Sequence, residues 1–372
     1  MVGEMSYSKH MRGYTDPRTL YQTDALYHWQ HGEPFMPVMV EISPDHRCIQ
    51  CCRYCYNQNH VNDEVLRPHV FVDVMGQLAD CGVKSVMIQG SGEPLMHKSL
   101  SVAVEVGAKF GLAMTLTTNG VLLTPRLQEK LLPNLAYIRL SVVESDPKRY
   151  AFLHGCDELQ WYKLIENIKS AVALRERLDL PIALIASVYL EDVNFAHTYE
   201  IVKFCKELGL DYISVQEAGY YDHSPAGAAS YASTRYSADA IEDMRHEVLS
   251  LCNDNFRVKV RFPVNDGCHF SGMDKDTYRP GYCQGVKFMT IIAADGNVYP
   301  CYRAWGNPLL SYGSLYEQSF AGIWNNARRR EIEQFILGTP PTGQECAVCN
   351  NNTTNPMLDR LRNATRWKDF LT

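Results

Sequence analysis

The sequence predicts an α/β fold: a partial (β/α)6 barrel followed by a small C-terminal cysteine-rich domain. Three observations predict it. Short, apolar, β-branched runs alternate with helix-like stretches from residue 38 to residue 262. Each strand and helix together take roughly 25–40 residues, the span of successive βα units, which favours a parallel sheet with helices outside it. The rhythm then stops, and Cys283, Cys301, Cys346 and Cys349 stand in a loop-rich stretch. Six units fall short of the eight that close a TIM barrel, so the barrel is TIM-like and partial.

Residues 1–37 form a polar N-terminal leader. Expected strands run over 38–42, 85–89, 113–117, 137–142, 182–188 and 212–215, each short and rich in Val, Ile and Leu. Helices are expected over 71–80, 100–110, 125–132, 161–178 and 195–208. Residues 219–233, rich in Gly, Ala, Ser and Tyr, read as a linker or lid. A further helix at 238–252 and a strand at 258–262 complete the barrel domain, 38–262. The auxiliary domain is expected over 263–355, with a C-terminal helix over 356–372. Within it, 291–294 and 298–299 flank Asp295-Gly296, a pair suited to a type I′ hairpin turn.

Composition narrows the function. A hydrophobic content of 46% with 21% charged residues suits a globular chain with a full core. The net charge of -6 and the lack of a long basic run argue against a nucleic-acid partner. The longest basic run, Arg328-Arg329-Arg330, reads as a solvated helix face. No stretch of 18 apolar residues suggests a membrane span, and the N-terminus lacks an apolar signal core, so a cytoplasmic location is expected. Clustered cysteines in such a compartment point to metal or redox chemistry rather than disulfides. Cys81, Cys156, Cys205 and Cys252 sit near helix ends and read as small buried hydrophobes.

Cys48, Cys52 and Cys55 stand at C-x3-C-x2-C spacing directly after the first strand. Three thiolates on one loop can hold three irons of a 4Fe–4S cluster and leave the fourth open to a substrate. They could also be zinc ligands, the lesser alternative, and Cys51 offers a competing set of Cys48, Cys51 and Cys55. Tyr54, before the last cysteine, is placed to shield a cluster from water. Gly90-Ser91-Gly92-Glu93-Pro94 follows the second strand, Thr117-Thr118-Asn119-Gly120 ends the third, and Ser141 lies on the fourth. Further on, Cys283 and Cys301 bracket the hairpin and Cys346-Ala347-Val348-Cys349 supplies a C-x2-C. Spacing alone leaves zinc and iron–sulfur both open for these four.

The cysteine motif C-x3-C-x-aromatic-C resembles the signature of the radical S-adenosylmethionine superfamily. The resemblance implies that Cys52 rather than Cys51 is the middle ligand. It also implies that the reduced cluster cleaves S-adenosylmethionine to a 5′-deoxyadenosyl radical. Gly90, Ser91, Gly92 and Glu93 are similar to the family turn that binds the methionine ammonium. Thr118, Asn119 and Ser141 match the positions that contact methionine and ribose. Where relatives often carry an arginine for the methionine carboxylate, this sequence offers His154. The stretch from Cys283 through Gly296 to Cys301, with Cys346 and Cys349, resembles a SPASM domain in its reduced "twitch" form, which holds one auxiliary 4Fe–4S cluster.

The expected reaction is hydrogen abstraction from a small polar substrate of sugar, aminoglycoside or aminocyclitol type, giving dehydrogenation or epimerisation. The expected enzyme is thus a radical SAM oxidoreductase or epimerase. The short N-terminal segment, with no room for a leader-binding domain, tilts the expectation that way. The alternatives are a peptide-modifying maturase of the same superfamily and a non-catalytic structural zinc protein. Cys268 is the candidate hydrogen donor, with Glu217 or His223 as the group that takes the proton. These two belong to a polar cluster with Gln216, Tyr220, Tyr221 and Asp222. A flavodoxin or ferredoxin is the expected electron donor.

Overall fold

The computed structural model describes residues 22–55, 57, 61–218, 236–261 and 283–338, and residues 355, 358 and 361. Its centre is one ten-stranded sheet in the order β10-β9-β8-β1-β2-β3-β4-β5-β6-β7. Strands β1 (Met39–Ile42), β2 (Ser85–Ile88), β3 (Ala113–Thr118), β4 (Tyr137–Ser141), β5 (Ala183–Leu190), β6 (Tyr212–Glu217) and β7 (Arg257–Arg261) run parallel to their neighbours. The parallel α/β reading therefore holds, with the last expected strand shifted one residue towards the N-terminus.

Alternation along the strands separates two faces. Val40, Ile42, Val86, Ile88, Leu116, Ile138 and Leu140 pack into the main core with the helices. Tyr137, Ile185 and Tyr212 form a smaller cluster on the other face. The helices are α1 (Thr23–His31), α2 (Pro68–Asp80), α3 (Leu100–Lys109), α4 (Pro125–Leu131), α5 (Pro147–His154), α6 (Leu159–Arg177), α7 (Asp192–Phe195), α8 (Thr198–Glu207), α9 (Ala238–Leu249), α10 (Phe320–Asn325) and α11 (Ala327–Gly338). The helix expected at 195–208 is present, starting at Thr198 and ending at Glu207. That helix is α8, and the extra turn α7 precedes it, opened at its N-terminus by a capping box between Glu191 and Asn194.

Several elements were not foreseen, and two of them bear on the site. Helix α5 starts where Asp146 accepts from the Lys148 and Arg149 amides at 3.0 and 2.9 Å, with Pro147 at the first helical position. Helix α1 lies inside the expected leader and docks on the auxiliary domain. Its Trp29 is buried, donates from Nε1 to Gln284 Oε1 at 2.8 Å, and packs near Phe288.

The C-terminal strands do not form a separate sheet. Strand β8 (Met289–Ile292) adds to the free edge of β1 in parallel register, Met39 opposite Met289 and Ile42 opposite Ile292. Strand β9 (Asn297–Tyr299) and the two-residue β10 (Gly313–Ser314) follow antiparallel. The 294–296 turn is not type I′, because only Gly296 has positive φ, +81°. The Gly296 amide instead donates to Ala293 O at 2.9 Å, which closes a type I turn with glycine in the left-handed position after it.

The arginine run is likewise not a simple solvated face. Arg328 donates to Ser311 O and Pro308 O, and Arg329 pairs with Glu333 while lying over Trp324. Of the four cysteines read as hydrophobes, Cys205 is buried and Cys81, Cys156 and Cys252 are partly buried against the core. Among the described residues no helix is long and apolar enough to cross a membrane.

Candidate active site

The cysteine loop leaves β1 and is pinned at once. Ser43 N donates to Ile292 O, Leu66 N to Pro44 O, and His46 N to Glu64 O, at 2.8, 2.9 and 3.0 Å. The turn after β2 lies directly against this loop. Glu93 N donates to Arg47 O at 2.8 Å. A Cβ at Gly92 would stand 2.3 Å from Arg47 O and 2.4 Å from Asp45 O, so only glycine permits the approach.

Glu93 is buried and holds three segments together. Its Oε1 accepts from Thr118 Oγ1 at 2.6 Å and Leu95 N at 2.9 Å, and its Oε2 accepts from Asn119 N at 2.8 Å. Burial raises its pKa, and these donors offset the shift. In the neighbouring segments four buried polar atoms have no partner among the described residues: Ser43 Oγ, Ser91 Oγ, Thr117 Oγ1 and Asn119 Nδ2. Buried polar groups are ordinarily satisfied, so this cradle of hydroxyls and an amide suits a polar ligand. Ser141, at the end of β4, pairs with Ser187 on the same rim.

The three motif cysteines act on one another electrostatically, although among the described residues no three His, Cys, Asp or Glu side chains stand close enough to hold a metal ion as they sit. Burial pushes Cys48 up to about 12, with Glu93 adding to it, and Cys55 up to about 11. Cys52 is pushed well up by burial and then by its neighbours Cys55 and Cys48. Cys51 is exposed, whereas Cys52 is the thiol that both other motif cysteines act upon. Three such thiols ionise only against a bound cation, as iron–sulfur ligands do. The donor set and the cradle together fit a cluster with an adjoining amino-acid-bearing cofactor.

Tyr54 is buried and stacks on Tyr189 of β5 at 5.0 Å between ring centroids. His154 is fully buried at the end of α5. Its Nδ1 lies 2.8 Å from Gln50 Oε1 and 3.3 Å from Cys52 Sγ, and its Nε2 lies 3.2 Å from Tyr54 OH. Burial lowers its pKa to about 3, so the ring is neutral. Both nitrogens are engaged inside the protein. The contact with a methionine carboxylate expected from sequence is therefore not one this ring is placed to make.

In the auxiliary domain, Cys283 and Cys301 both act electrostatically on Tyr312, whose buried hydroxyl has no partner among the described residues. That orphan hydroxyl beside two thiols suits a polar or sulfur-rich group between them. Cys346 and Cys349 lie outside the described residues, as do Cys268, His223, Tyr220, Tyr221 and Asp222. Glu217 ends β6 and Gln216 pairs with Tyr189 and Arg261, on the strand-end rim of the sheet.

One group was missed in the sequence. Glu41, mid-β1, is buried and accepts from Gln89 Nε2 at 3.0 Å and from Tyr302 OH. Gln89 immediately precedes the Gly90 turn and Tyr302 immediately follows Cys301, so one carboxylate joins the two cofactor-binding segments. Burial raises Glu41 to about 7. The signal was present as a lone acid in the apolar run Met39–Ile42.

The cysteine loop and the polar turn after β2 thus lie together at the ends of parallel strands, the layout of a cofactor-binding α/β enzyme. Residues 42–175 match the family model of the radical SAM superfamily, and residues 283–350 match SPASM, an iron–sulfur cluster-binding domain. The chain belongs to the radical SAM superfamily and carries a C-terminal SPASM domain. Its cofactors are accordingly a 4Fe–4S cluster with S-adenosylmethionine, and auxiliary iron–sulfur in the SPASM domain.

The chain is 27% identical over 332 residues to the PqqA peptide cyclase of Xanthomonas axonopodis pv. citri, covering 85% of this chain and 80% of the relative. It is 27% identical over 322 residues to that of Bradyrhizobium diazoefficiens, covering 84% and 79%. Streptococcus suis SuiB bound to its precursor peptide SuiA shares the fold, with a TM-score of 0.64 at 17% identity over 95% of this chain and 80% of that one. These findings overturn the expected small polar substrate and small-molecule partner, because the matched relatives are peptide cyclases. The superfamily assignment likewise removes the structural zinc reading.

Proposed function

We propose that this protein is a peptide-modifying radical SAM enzyme that forms an intramolecular crosslink in a peptide substrate. The observation that carries this reading is the similarity to PqqA peptide cyclases, which runs through both domains and covers 85% of the chain.

In this reading Cys48, Cys52 and Cys55 hold the cluster that binds S-adenosylmethionine. Gly90, Ser91, Gly92 and Glu93 cradle the methionine end, with Glu93 held in place by Thr118 and Asn119. Ser141 and the free atoms of Ser91 and Asn119 supply further polar contacts. Cys283 and Cys301, with Cys346 and Cys349, hold the auxiliary cluster. When bound, the cluster and S-adenosylmethionine together supply the one-electron chemistry that starts hydrogen abstraction. Tyr54 and its stacked partner Tyr189 wall that site off from water. Gln216 and Glu217 present polar groups to a peptide at the strand ends, and Glu217, with His223 and Cys268, remains a candidate for proton or hydrogen transfer.

The test is anaerobic reconstitution of the full chain, incubation with S-adenosylmethionine and dithionite, and mass spectrometry of short peptides encoded beside the gene. A peptide that loses two hydrogens as 5′-deoxyadenosine accumulates is the expected result. Deoxyadenosine without any change in such peptides, together with turnover of a free sugar, would overturn the assignment.

A further inference from the structure

The hydrogens around His154 can be placed from one fixed point. Ile49 O is a backbone carbonyl and can only accept. The Gln160 amide nitrogen therefore faces it, at 3.3 Å. Gln160 Oε1 then points at Gln50, 3.0 Å away, and must meet a donor there. So Gln50 turns its nitrogen to Gln160 and to Tyr150 OH, also at 3.0 Å, and its oxygen to His154. An oxygen needs a donor, which puts a proton on Nδ1. Nε2 faces Tyr54 OH at 3.2 Å. The Nδ1–H thus lies between Gln50 Oε1 at 2.8 Å and Cys52 Sγ at 3.3 Å.

The backbone locks this arrangement. Cys51 N donates to His154 O at 3.0 Å and Arg53 N donates to Leu153 O at 2.9 Å, so the end of α5 takes up two amides of the cysteine loop. Gly155 ends the helix with φ +56°, and a Cβ there would stand 2.3 Å from Cys51 O. Tyr150 stacks on the imidazole at 4.1 Å and fixes its plane.

We infer that His154 is a positioning residue whose Nδ1–H donates to the Cys52 sulfur and raises the reduction potential of the cluster which that cysteine ligates. The inference rests on the assignment of Cys52 as a ligand under the proposed function. A reduced cluster carries one more negative charge, part of it on its sulfurs. An N–H aimed at a ligating sulfur stabilises that form over the oxidised one. Gln50 Oε1 competes for the same proton, so the two neighbours of His154 act in opposite directions.

The experiment is a potentiometric titration of the reconstituted full chain, following the reduced-cluster EPR signal that S-adenosylmethionine perturbs, with iron counted per chain. His154→Leu is expected to move the midpoint to more negative potential. Gln50→Leu, which removes the competing acceptor, is expected to move it to more positive potential. His154→Gln keeps an N–H donor and is expected to restore most of the shift. Midpoints that stay in place, or that move the same way in both leucine variants, overturn the inference. If His154→Leu fails to hold iron, the sign of the Gln50→Leu shift decides alone. Loss of the perturbed signal in Cys51→Ala with retention in Cys52→Ala would mean that the ligand assignment has failed. Loss in Cys52→Ala with unmoved midpoints would leave that assignment standing and remove only the role of His154.

Discussion

At the scale of single residues, the site depends on atoms that have no room to move. Gly92 meets the carbonyls of Asp45 and Arg47 at distances a side chain cannot share. Gly92→Ala must push the carboxylate turn off the cysteine loop, and overpacking of this kind costs about 1–3 kcal/mol. S-adenosylmethionine binding is expected to weaken by roughly ten- to hundredfold, at about 1.4 kcal/mol per decade. Titration of the EPR signal with the cofactor checks this, and an unchanged midpoint concentration would show that the turn tolerates the methyl group. The middle cysteine is a second case. Cys52→Ala is expected to abolish 5′-deoxyadenosine formation, whereas Cys51→Ala at the exposed position is expected to leave most of it. Equal losses in the two variants would contradict the choice of Cys52.

At the scale of elements, burial fixes how the helices sit on the sheet. Arg175 near the end of α6 and Asp211 before β6 form a nearly buried ion pair. Asp211 also accepts from Leu184 N at 2.7 Å, and Arg175 donates to Gly209 O at 3.1 Å, so one pair ties α6, β5 and the loop that joins α8 to β6. Asp211→Ala leaves a buried guanidinium without its counter-charge, which costs about 3–5 kcal/mol. The urea midpoint is expected to fall with an unchanged slope. A midpoint within error of the unsubstituted protein would mean that solvent reaches Arg175 after all. Helix α5 shows the converse, a short element that exists chiefly to hold something else. Its stop at Gly155 was foreseeable from Asp146-Pro147 at one end and glycine at the other.

At the scale of the whole molecule, the two cofactor-binding regions share one sheet because β8 pairs with β1. Glu41 sits at that seam, bonded to Gln89 on one side and Tyr302 on the other. Its carboxyl is raised from the ordinary 4.5 to about 7, by burial against the opposing effects of Tyr302, Gln89 and Arg139. The unfolded chain ionises it more readily than the folded one does. Its stabilising share is therefore complete below about pH 4.5 and is lost as pH rises through about 7. The loss is on the order of 3 kcal/mol at 1.36 kcal/mol per pH unit. Chemical denaturation at pH 5 and pH 8 is expected to show that fall, and Glu41→Gln, which cannot ionise, is expected to flatten it. Parallel pH profiles in the two proteins would place the charge elsewhere.

Periodicity and side-chain chemistry made much of this protein legible from its sequence. Alternation of apolar strands with helices forecast the parallel sheet, since each burying face imposes its own period. Two cysteine patterns forecast metal or iron–sulfur centres, because spacing along a loop limits what thiolates can hold together, and their resemblance to a known signature favoured iron–sulfur. Four decisions needed the tertiary structure. It set His154 against Cys52 and Tyr54, about a hundred residues away in sequence, where no local pattern links them. It turned Glu93 inward, onto the amides and hydroxyls of neighbouring strand ends. It set a separate one-turn helix at Asp192–Phe195, capped by Glu191, ahead of the helix expected over 195–208. It joined β8 to β1 across some 250 intervening residues, a pairing that sequence cannot register because it depends on which sheet edge remains open once the barrel units have stacked.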